Sequence, residues 1–240
     1  MIVAALVGVL LIGRSVVGCV AERAALSLPA SLDARVGEAA ASAVRASHGD
    51  EAPPQAAVVR VERLFGELVQ HLTPEERAML GVPRVAVVVD ETPNAFALPG
   101  GQVFVQSGLL ERVGEGVDGD AQLSGVLAHE LGHAIRRHAL RLLAQRMAFG
   151  LAISLMMGNG DQLGDALLAG ASELEGLRNS REMETDADEF GVGLLRRAGF
   201  DASGLAAFLE SLGSQPVPAL LSTHPDPAAR AERIRAAATH

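Results

Sequence analysis

The sequence predicts an α+β protein that is mostly helical and carries a small antiparallel sheet. Three observations support this fold class. β-branched residues cluster in one short run, "RVAVVVD" at Arg84–Asp90, and a hairpin pattern follows it. Most of the remaining chain has apolar residues at helical spacing, with helix start signals before several segments. At 240 residues and 49% hydrophobic content, the chain is long enough to bury a core as one domain.

The first residues indicate export. "MIVAALVGVLLIG" is shorter than the roughly 20 apolar residues that span a bilayer, and it is typical of the core of a signal peptide. It is followed by "RSVVGC", in which Val17, Gly18 and Cys19 resemble the lipobox of bacterial lipoproteins. We therefore predict a signal peptide with a candidate lipobox at residues 1–19, and lipidation of Cys19. The alternatives are an uncleaved anchor, or a misassigned start codon with an ordinary buried cysteine.

Composition excludes several classes of protein. Cys19 is the only cysteine, so a disulfide within the chain and a cysteine-based metal cluster are both excluded. The net charge of −9 argues against nucleic acid as a partner, because nucleic acids select basic surfaces. The chain has no tyrosine, so a role that tyrosine often fills must belong to another residue.

The N-terminal half reads as helices followed by strands. Residues 20–55 are predicted to form a helix and a linker that ends in "HGDEAPPQ", and residues 56–240 to form the main domain. Ala56–Leu72 has helical spacing, and a second helix opens with Thr73 as N-cap and Pro74 at its first position. Arg84–Asp90 is a strand, and "NAFALPGGQVFVQSGLL" predicts two strands joined at Pro99-Gly100-Gly101.

Everything after the hairpin is predicted to be helical. The apolar segment Met147–Gly158 is too short to span a membrane, and a core helix is preferred over a membrane-facing flap. A last helix starts at Pro227, with Asp226 as its N-cap. The other predicted helices are Asp120–Leu143, Ala166–Arg178, Arg181–Ala198 and Ser203–Leu212.

The helix predicted at Asp120–Leu143 contains His129-Glu130-Leu131-Gly132-His133, an H-E-x-x-H pattern. His129 and His133 lie one turn apart on the same face, about 6 Å along the axis, so both imidazoles can reach one Zn²⁺. Glu130 comes beside the metal, where a carboxylate can take a proton from bound water. The alternative is a solvated helix with incidental histidines. His138 lies off this face and is interpreted as a surface or supporting histidine.

A catalytic zinc needs a third protein ligand, and without a nearby cysteine it must be His, Asp or Glu. "NSREMETDADEFG" at Asn179–Gly191 places Glu184 and Asp188 on one helical face. One of them can reach the metal while the other supports a ligand histidine, since such histidines donate their second N–H to a carboxylate. Taken alone, the stretch is also typical of an ordinary acidic helix face.

These motifs together resemble a known family. H-E-x-x-H followed by S-R-x-x-E-x-x-A-D is similar to the gluzincin metallopeptidases grouped with HtpX, the CAAX prenyl protease and the periplasmic lipoprotein peptidase LoiP. The hairpin and the C-terminal "LSTHPDPAARAERI" also resemble that family, so the likeness covers about residues 85–234. It implies a zincin-like fold with the sheet beside the active-site helix. Because the chain lacks long apolar helices, it is expected to belong with the soluble, periplasmic members.

The resemblance also implies roles for individual residues. It makes His129, His133 and Glu184 the ligands of one Zn²⁺ per chain, Glu130 the general base, and Asp188 the group that orients His129. The expected activity is that of a zinc endopeptidase acting on unfolded or misassembled envelope proteins. The expected location is the bacterial cell envelope, with the protein facing the periplasm and held by a lipid anchor, on the outer membrane. The rival reading is a chaperone-like or binding protein with a latent site.

The substrate is expected to lie extended along an edge strand, either Asn94–Leu98 or Gln102–Gln106. The residues predicted to bind it are Asn94, Ala95, Phe96 and Ala97. His224 is the remaining candidate for catalysis, because the chain has no tyrosine and Pro225 fixes an extended backbone at His224. His224 either donates to the oxyanion or occupies the fourth zinc position; the alternative is a loop histidine bonded to nearby backbone.

Overall fold

A computed structural model describes residues 22–156 except 24, residues 170, 171 and 174, and residues 178–214 and 223–238. In these ranges no helix is both long and apolar enough to cross a membrane. The helices are α1 (Ala30–Ser47), α2 (Gln55–Gln70), α3 (Pro74–Leu80), α4 (Ser107–Val113), α5 (Gly116–Ile135), α6 (His138–Met156), α7 (Arg181–Ala198), α8 (Ser203–Ser214) and α9 (Pro227–Ala238). The strands are β1 (Arg84–Val88), β2 (Ala95–Leu98) and β3 (Gln102–Gln106). The predicted α+β class is confirmed.

Local signals place several helix boundaries where the sequence predicts them. Thr73 caps α3 through a capping box, in which its hydroxyl accepts from the Glu76 N–H while the Glu76 carboxylate accepts from the Thr73 N–H. The Ser180 hydroxyl accepts from the Met183 N–H at the start of α7. Helix α7 then ends at Gly199, whose φ of 76° is the left-handed conformation common at helix ends.

The predicted helix Asp120–Leu143 is interrupted, which corrects the sequence reading. Arg137 has a φ of 55°, so the chain turns there and α5 and α6 are separate helices. The Arg136 N–H donates to the Gly132 carbonyl, and the Arg137 N–H donates to the Ala134 carbonyl, closing α5. The predicted helix Ala166–Arg178 lies almost wholly outside the described residues, as do Gly158 and the residue before it.

The sheet has the order β1-β3-β2. Strands β2 and β3 form the predicted antiparallel hairpin, with Phe96 opposite Phe104. Strand β1, however, pairs with β3 in parallel. After β1 the chain crosses to the opposite edge of the sheet, where it forms β2, and the hairpin then places β3 between β1 and β2. The suggestion that Gln102–Gln106 is an edge strand is therefore wrong. Strand β2 is the edge that lies against α5.

The two faces of the sheet are covered by different helices. Ala95, Val103 and Val105 belong to the main core, together with apolar residues of α2, α5, α7 and α8. Phe96 and Phe104 stack on the other face, in a second core that includes α1. The helix on each face removes that apolar surface from water, which is the main force holding the layers together.

Helix α1 docks tightly on the hairpin and on the end of α5. A Cβ on Gly37 would lie 1.9 Å from the Pro99 carbonyl oxygen, so α1 touches the hairpin turn backbone to backbone. Gly100 in that turn has a φ of 72° and faces Ala34 of α1. Buried Asp33 lies 3.5 Å from the Nε of buried Arg137 and accepts from the Gly100 N–H.

Candidate metal centre

The imidazole rings of His129 and His133, both on α5, lie next to each other. His129 and His133 are each 4% exposed, and their Nε2 atoms lie 3.0 Å apart with the rings edge to face. The helix is buried here because small residues let α7 approach. A Cβ on Gly132 would lie 2.9 Å from the carbonyl oxygen and 3.0 Å from the Cα of Ala187. Close contact between α5 and α7 therefore sets the position of both histidines relative to α7.

Helix α7 brings Glu184 to the same point. Its Oε1 lies 3.3 Å from the Nε2 of His133, and its Oε2 lies 3.5 Å from the Nε2 of His129. Burial raises the pKa of Glu184, but the neighbouring histidines outweigh that effect, so its pKa is well below the usual range. The carboxylate is 1% exposed and ionised, which is the state that a metal ligand needs.

His224 joins these three residues. Its Nδ1 lies 3.1 and 3.2 Å from the two Glu184 carboxylate oxygens. One ligand atom from each of His129, His133, Glu184 and His224 lies within 4.8 Å of all the others. The reading of His224 as a loop histidine bonded to nearby backbone does not match these contacts. His224 is buried among the candidate ligands.

The other nitrogens of the two histidines have partners of their own. Asp188 Oδ1 lies 3.0 Å from His129 Nδ1, and His138 Nδ1 lies 2.8 Å from His133 Nδ1. Burial lowers the pKa of His138 to about 2, so His138 is neutral. A neutral imidazole has one donor and one acceptor nitrogen, so one hydrogen bond can join the two Nδ1 atoms. His138 is 1% exposed, which excludes the surface position. Such partners fix the tautomer and the orientation of a ligand ring.

Arg230 was missed by the sequence analysis. It lies on α9, is 2% exposed, and donates from Nε and Nη2 to the two carboxylate oxygens of Asp188 at 2.8 and 2.7 Å. Its Nη1 also contacts Glu184. Burial raises the pKa of Asp188, but Arg230 and His129 outweigh it and lower that pKa to about 2. Arg230 thus holds two carboxylates of α7 in fixed positions.

Glu130 lies beside His224 but is not one of the four candidate metal ligands. It is 2% exposed, and its Oε1 lies 3.8 Å from the Nε2 of His224. Glu130 and His224 line two small pockets, one of which is also lined by Ala95 and the other by Phe96 and Ala97. The predicted substrate strand β2 therefore borders the site. The Oδ1 of Asn94, just before this strand, is buried and has no hydrogen-bond partner among the described residues.

The donor set fits zinc. Two imidazole nitrogens and one carboxylate are typical protein ligands of catalytic zinc, and zinc accepts a fourth ligand in tetrahedral geometry. Imidazole and carboxylate donors converge, while the positive charge of Arg230 is paired with Asp188 and Glu184. Within the described residues, this is the group of histidines and acidic residues whose ligand atoms converge closely enough to hold a metal.

A histidine pair on a buried helix, with a glutamate from a second helix beside a sheet edge, defines the zincin class of metallopeptidase sites. The chain belongs to peptidase family M48, a family of zinc metallopeptidases, which it matches over residues 60–238. This confirms the resemblance seen in the motifs.

Three characterised relatives show how far the similarity extends. Mitochondrial metalloendopeptidase OMA1 of Schizosaccharomyces pombe is 35% identical over 165 residues, covering 62% of this chain and 44% of that protein. Beta-barrel assembly-enhancing protease of Escherichia coli K12 is 35% identical over 153 residues, covering 57% and 30%. Metalloprotease YcaL of Escherichia coli K12 is 33% identical over 149 residues, covering 59% and 57%. The chain thus spans less than two thirds of the length of these relatives.

Proposed function

We propose that the chain is a zinc-dependent endopeptidase. The observation that carries the proposal is Glu130, a buried carboxylate that lies beside the four convergent donors but is not one of them. A purely structural metal site needs ligands and has no use for a second carboxylate beside them. In this proposal His129, His133 and Glu184 hold the metal, and Asp188, His138 and Arg230 fix the ligands in place.

Bound zinc would lower the pKa of a water molecule and polarise the scissile carbonyl. Glu130 then accepts a proton from the attacking water and delivers it to the leaving amine nitrogen. The edge of β2 holds the substrate in an extended form by backbone pairing, and Asn94 supplies a further acceptor before the strand. Because backbone pairing is tolerant of sequence, it suits unfolded polypeptide as substrate.

We further propose that His224 is the fourth zinc ligand in the resting enzyme. Its contact with both oxygens of Glu184 supports this role over that of an oxyanion donor. A ligand that fills the open position keeps the enzyme latent until the segment that carries it moves. The same contact supports the second candidate function, a chaperone-like or binding protein whose site stays closed.

The proposed biological role is removal of unfolded or misassembled envelope proteins. The name of the Escherichia coli relative, beta-barrel assembly-enhancing protease, supports an envelope substrate. Attachment to the outer membrane through lipidated Cys19, facing the periplasm, completes the proposal, with residues 1–19 as signal peptide, 20–55 as a helix and linker, and 56–240 as the peptidase domain. Cys19 lies outside the described residues. An unmodified Cys19 thiol in the intact mass of the protein from its native host would rule out the anchor.

Cleavage of unfolded casein tests the enzymatic proposal. Glu130→Gln preserves the size of the side chain and the zinc ligands but removes the base, so it should bind one zinc per chain and lose nearly all activity. The wild-type activity should disappear with a chelator and return with added zinc. Full activity of a pure Glu130→Gln preparation would contradict the role of Glu130, and a zinc-loaded wild type that binds but does not cut casein would favour the chaperone-like function.

A further inference from the structure

Arg137 joins the metal-binding helix to the helix that follows it. Its φ of 55° is a left-handed conformation, which residues other than glycine rarely adopt. The Arg137 N–H donates to the Ala134 carbonyl at the end of α5, and the Arg137 carbonyl accepts from the Arg141 N–H in the first turn of α6. The backbone at Arg137 therefore sets the direction in which α6 leaves α5.

The Arg137 side chain contacts the N-terminal segment, which is defined here as residues 26–33. The side chain is buried, and its Nη1 donates to the carbonyls of Leu26 and Leu28 at 3.1 and 3.0 Å. Its Nε lies 3.5 Å from the Oδ2 of Asp33, which is also buried. Because a buried guanidinium is costly unless it is paired, these contacts fix the side chain and stabilise the uncommon backbone conformation that directs it to them.

His138, the first residue of α6, is the side chain that this turn brings to the metal centre. Its Nδ1 lies 2.8 Å from the Nδ1 of His133. When its Nε2 binds the metal, His133 carries its proton on Nδ1 and donates it to His138. Among the described residues the Nε2 of His138 has no hydrogen-bond partner, and the Oδ2 of Asp186 lies 3.6 Å away from it. The orientation of the His138 ring therefore depends on the backbone that carries it.

We propose that Arg137 is a positioning residue for the metal centre. The contacts of its guanidinium with the N-terminal segment maintain the left-handed turn, and the turn places His138 against His133. The inference rests on the proposed zinc site, and it makes the affinity of that site depend on residues that precede residue 60, where the match to the family begins. Partners of a metal-binding histidine typically contribute about 10–100-fold to metal affinity, so loss of the turn should weaken zinc binding measurably.

Two substitutions of Arg137 separate the turn from the side chain. Arg137→Ala and Arg137→Gly both remove the guanidinium contacts, but only glycine adopts the left-handed conformation readily. Arg137→Ala should therefore weaken zinc binding at least about tenfold in competition with a chelator, whereas Arg137→Gly should keep most of the wild-type affinity. Val36→Ala is the matched control, because it removes buried apolar atoms from α1 and should lower the Tm without changing zinc affinity. Equal zinc affinities of the two Arg137 variants, whether high or low, would overturn the role of the turn.

Asp33→Asn tests the contact with the N-terminal segment, and it replaces Arg137→Ala if that variant fails to fold. It keeps the shape of the side chain but removes the charge that faces the guanidinium, so it should weaken zinc binding. In a His138→Ala background it should have no further effect on zinc affinity, because the turn then has no imidazole to place. A lower Tm with unchanged zinc affinity would reduce Asp33 to a structural role, and an additive loss in the double variant would show that Asp33 affects the metal by another route; either result contradicts the proposal.

Casein cleavage by the same preparations separates this proposal from the enzymatic one. If wild type binds zinc and the variants behave as expected but wild type cuts no casein, the peptidase proposal fails and the positioning role stands. If wild type cuts casein while Arg137→Ala binds zinc as tightly as wild type, the positioning role fails and the peptidase stands. A wild-type protein that binds no zinc overturns both.

Discussion

The contact between Gly132 and Ala187 offers a way to change the metal centre without changing a ligand. Gly132→Ala adds a Cβ that would lie 2.9 Å from the Ala187 carbonyl oxygen and 3.0 Å from its Cα, where ordinary contacts are 3.4–4 Å. The obstacle is backbone, so α5 and α7 must separate by about 0.5 Å to restore ordinary contact. His133 and Glu184 lie on opposite sides of this contact. Their spacing should grow with it.

The expected cost follows from the same distances. Overpacking of this kind typically costs about 1–3 kcal/mol, offset by up to about 1 kcal/mol because alanine favours helix over glycine. A net loss of about 1–2 kcal/mol corresponds to a fall in Tm of about 2–8 °C for a chain of this length. Since changes just outside a ligand set typically cost about 10–100-fold in metal affinity, we expect the zinc affinity to fall at least about tenfold.

Two measurements check this reasoning. Thermal unfolding of the metal-free protein reports the packing cost, and competition with a chelator reports the zinc affinity. Gly193→Ala is the matched control, because it lies on the same helix α7 and its Cβ would meet only the Nη1 of Arg197, at 3.8 Å. It should keep wild-type zinc affinity and be at least as stable as wild type. The explanation is refuted if the two variants are indistinguishable in both measurements.

The remaining predictions concern single side chains. Glu184→Ala should lose most of the bound zinc; full occupancy by elemental analysis would remove Glu184 from the ligand set. His224→Ala should raise peptidase activity on casein if His224 is a latch, whereas loss of an oxyanion donor would lower turnover about 10²–10³-fold, and no change would exclude both roles. Asp33→Ala should destabilise the protein by about 3–5 kcal/mol in denaturant unfolding, because the buried positive charge of Arg137 loses its carboxylate partner and keeps only the carbonyls of Leu26 and Leu28. Glu67→Ala, from the exposed pair with Arg63, should cost less than about 1 kcal/mol, and an equal loss in both would contradict the role of burial.

Some of the site could be predicted because its signals are local. His129 and His133 share a helical face, as do Glu184 and Asp188, and spacing along one helix is visible in the sequence. The pairing between those two helices could not be deduced from spacing. The pairing depends on the close contact at Gly132, which a sequence shows only as a small residue inside the motif. In the sequence, only the resemblance to a family indicated that the two helices meet.

The residues that were missed depend on tertiary contacts. Arg230 is one of three arginines in α9, and only the packing of that helix shows that Arg230 is buried while Arg233 and Arg235 are exposed. His138 reaches His133 because the chain turns at Arg137, a left-handed conformation that the continuous helical pattern concealed. The parallel pairing of β1 likewise depends on a crossing between β1 and β2 that carries no sequence signal.

The packing of α1 on the sheet determines what removal of the N-terminal residues would do to the protein. The match to the family begins at residue 60, after α1, yet α1 covers the sheet face that carries Phe96 and Phe104. A chain shortened to that boundary would keep every candidate metal ligand but lose the residues of α1 from the core around the stacked Phe96–Phe104 pair, leaving Leu140, Leu143 and Ala144 of α6 to cover it in part. Exposed apolar sheet surface of this kind promotes self-association. We therefore expect proteolysis in the linker between α1 and α2 to promote aggregation of the protein while leaving its candidate metal ligands unchanged.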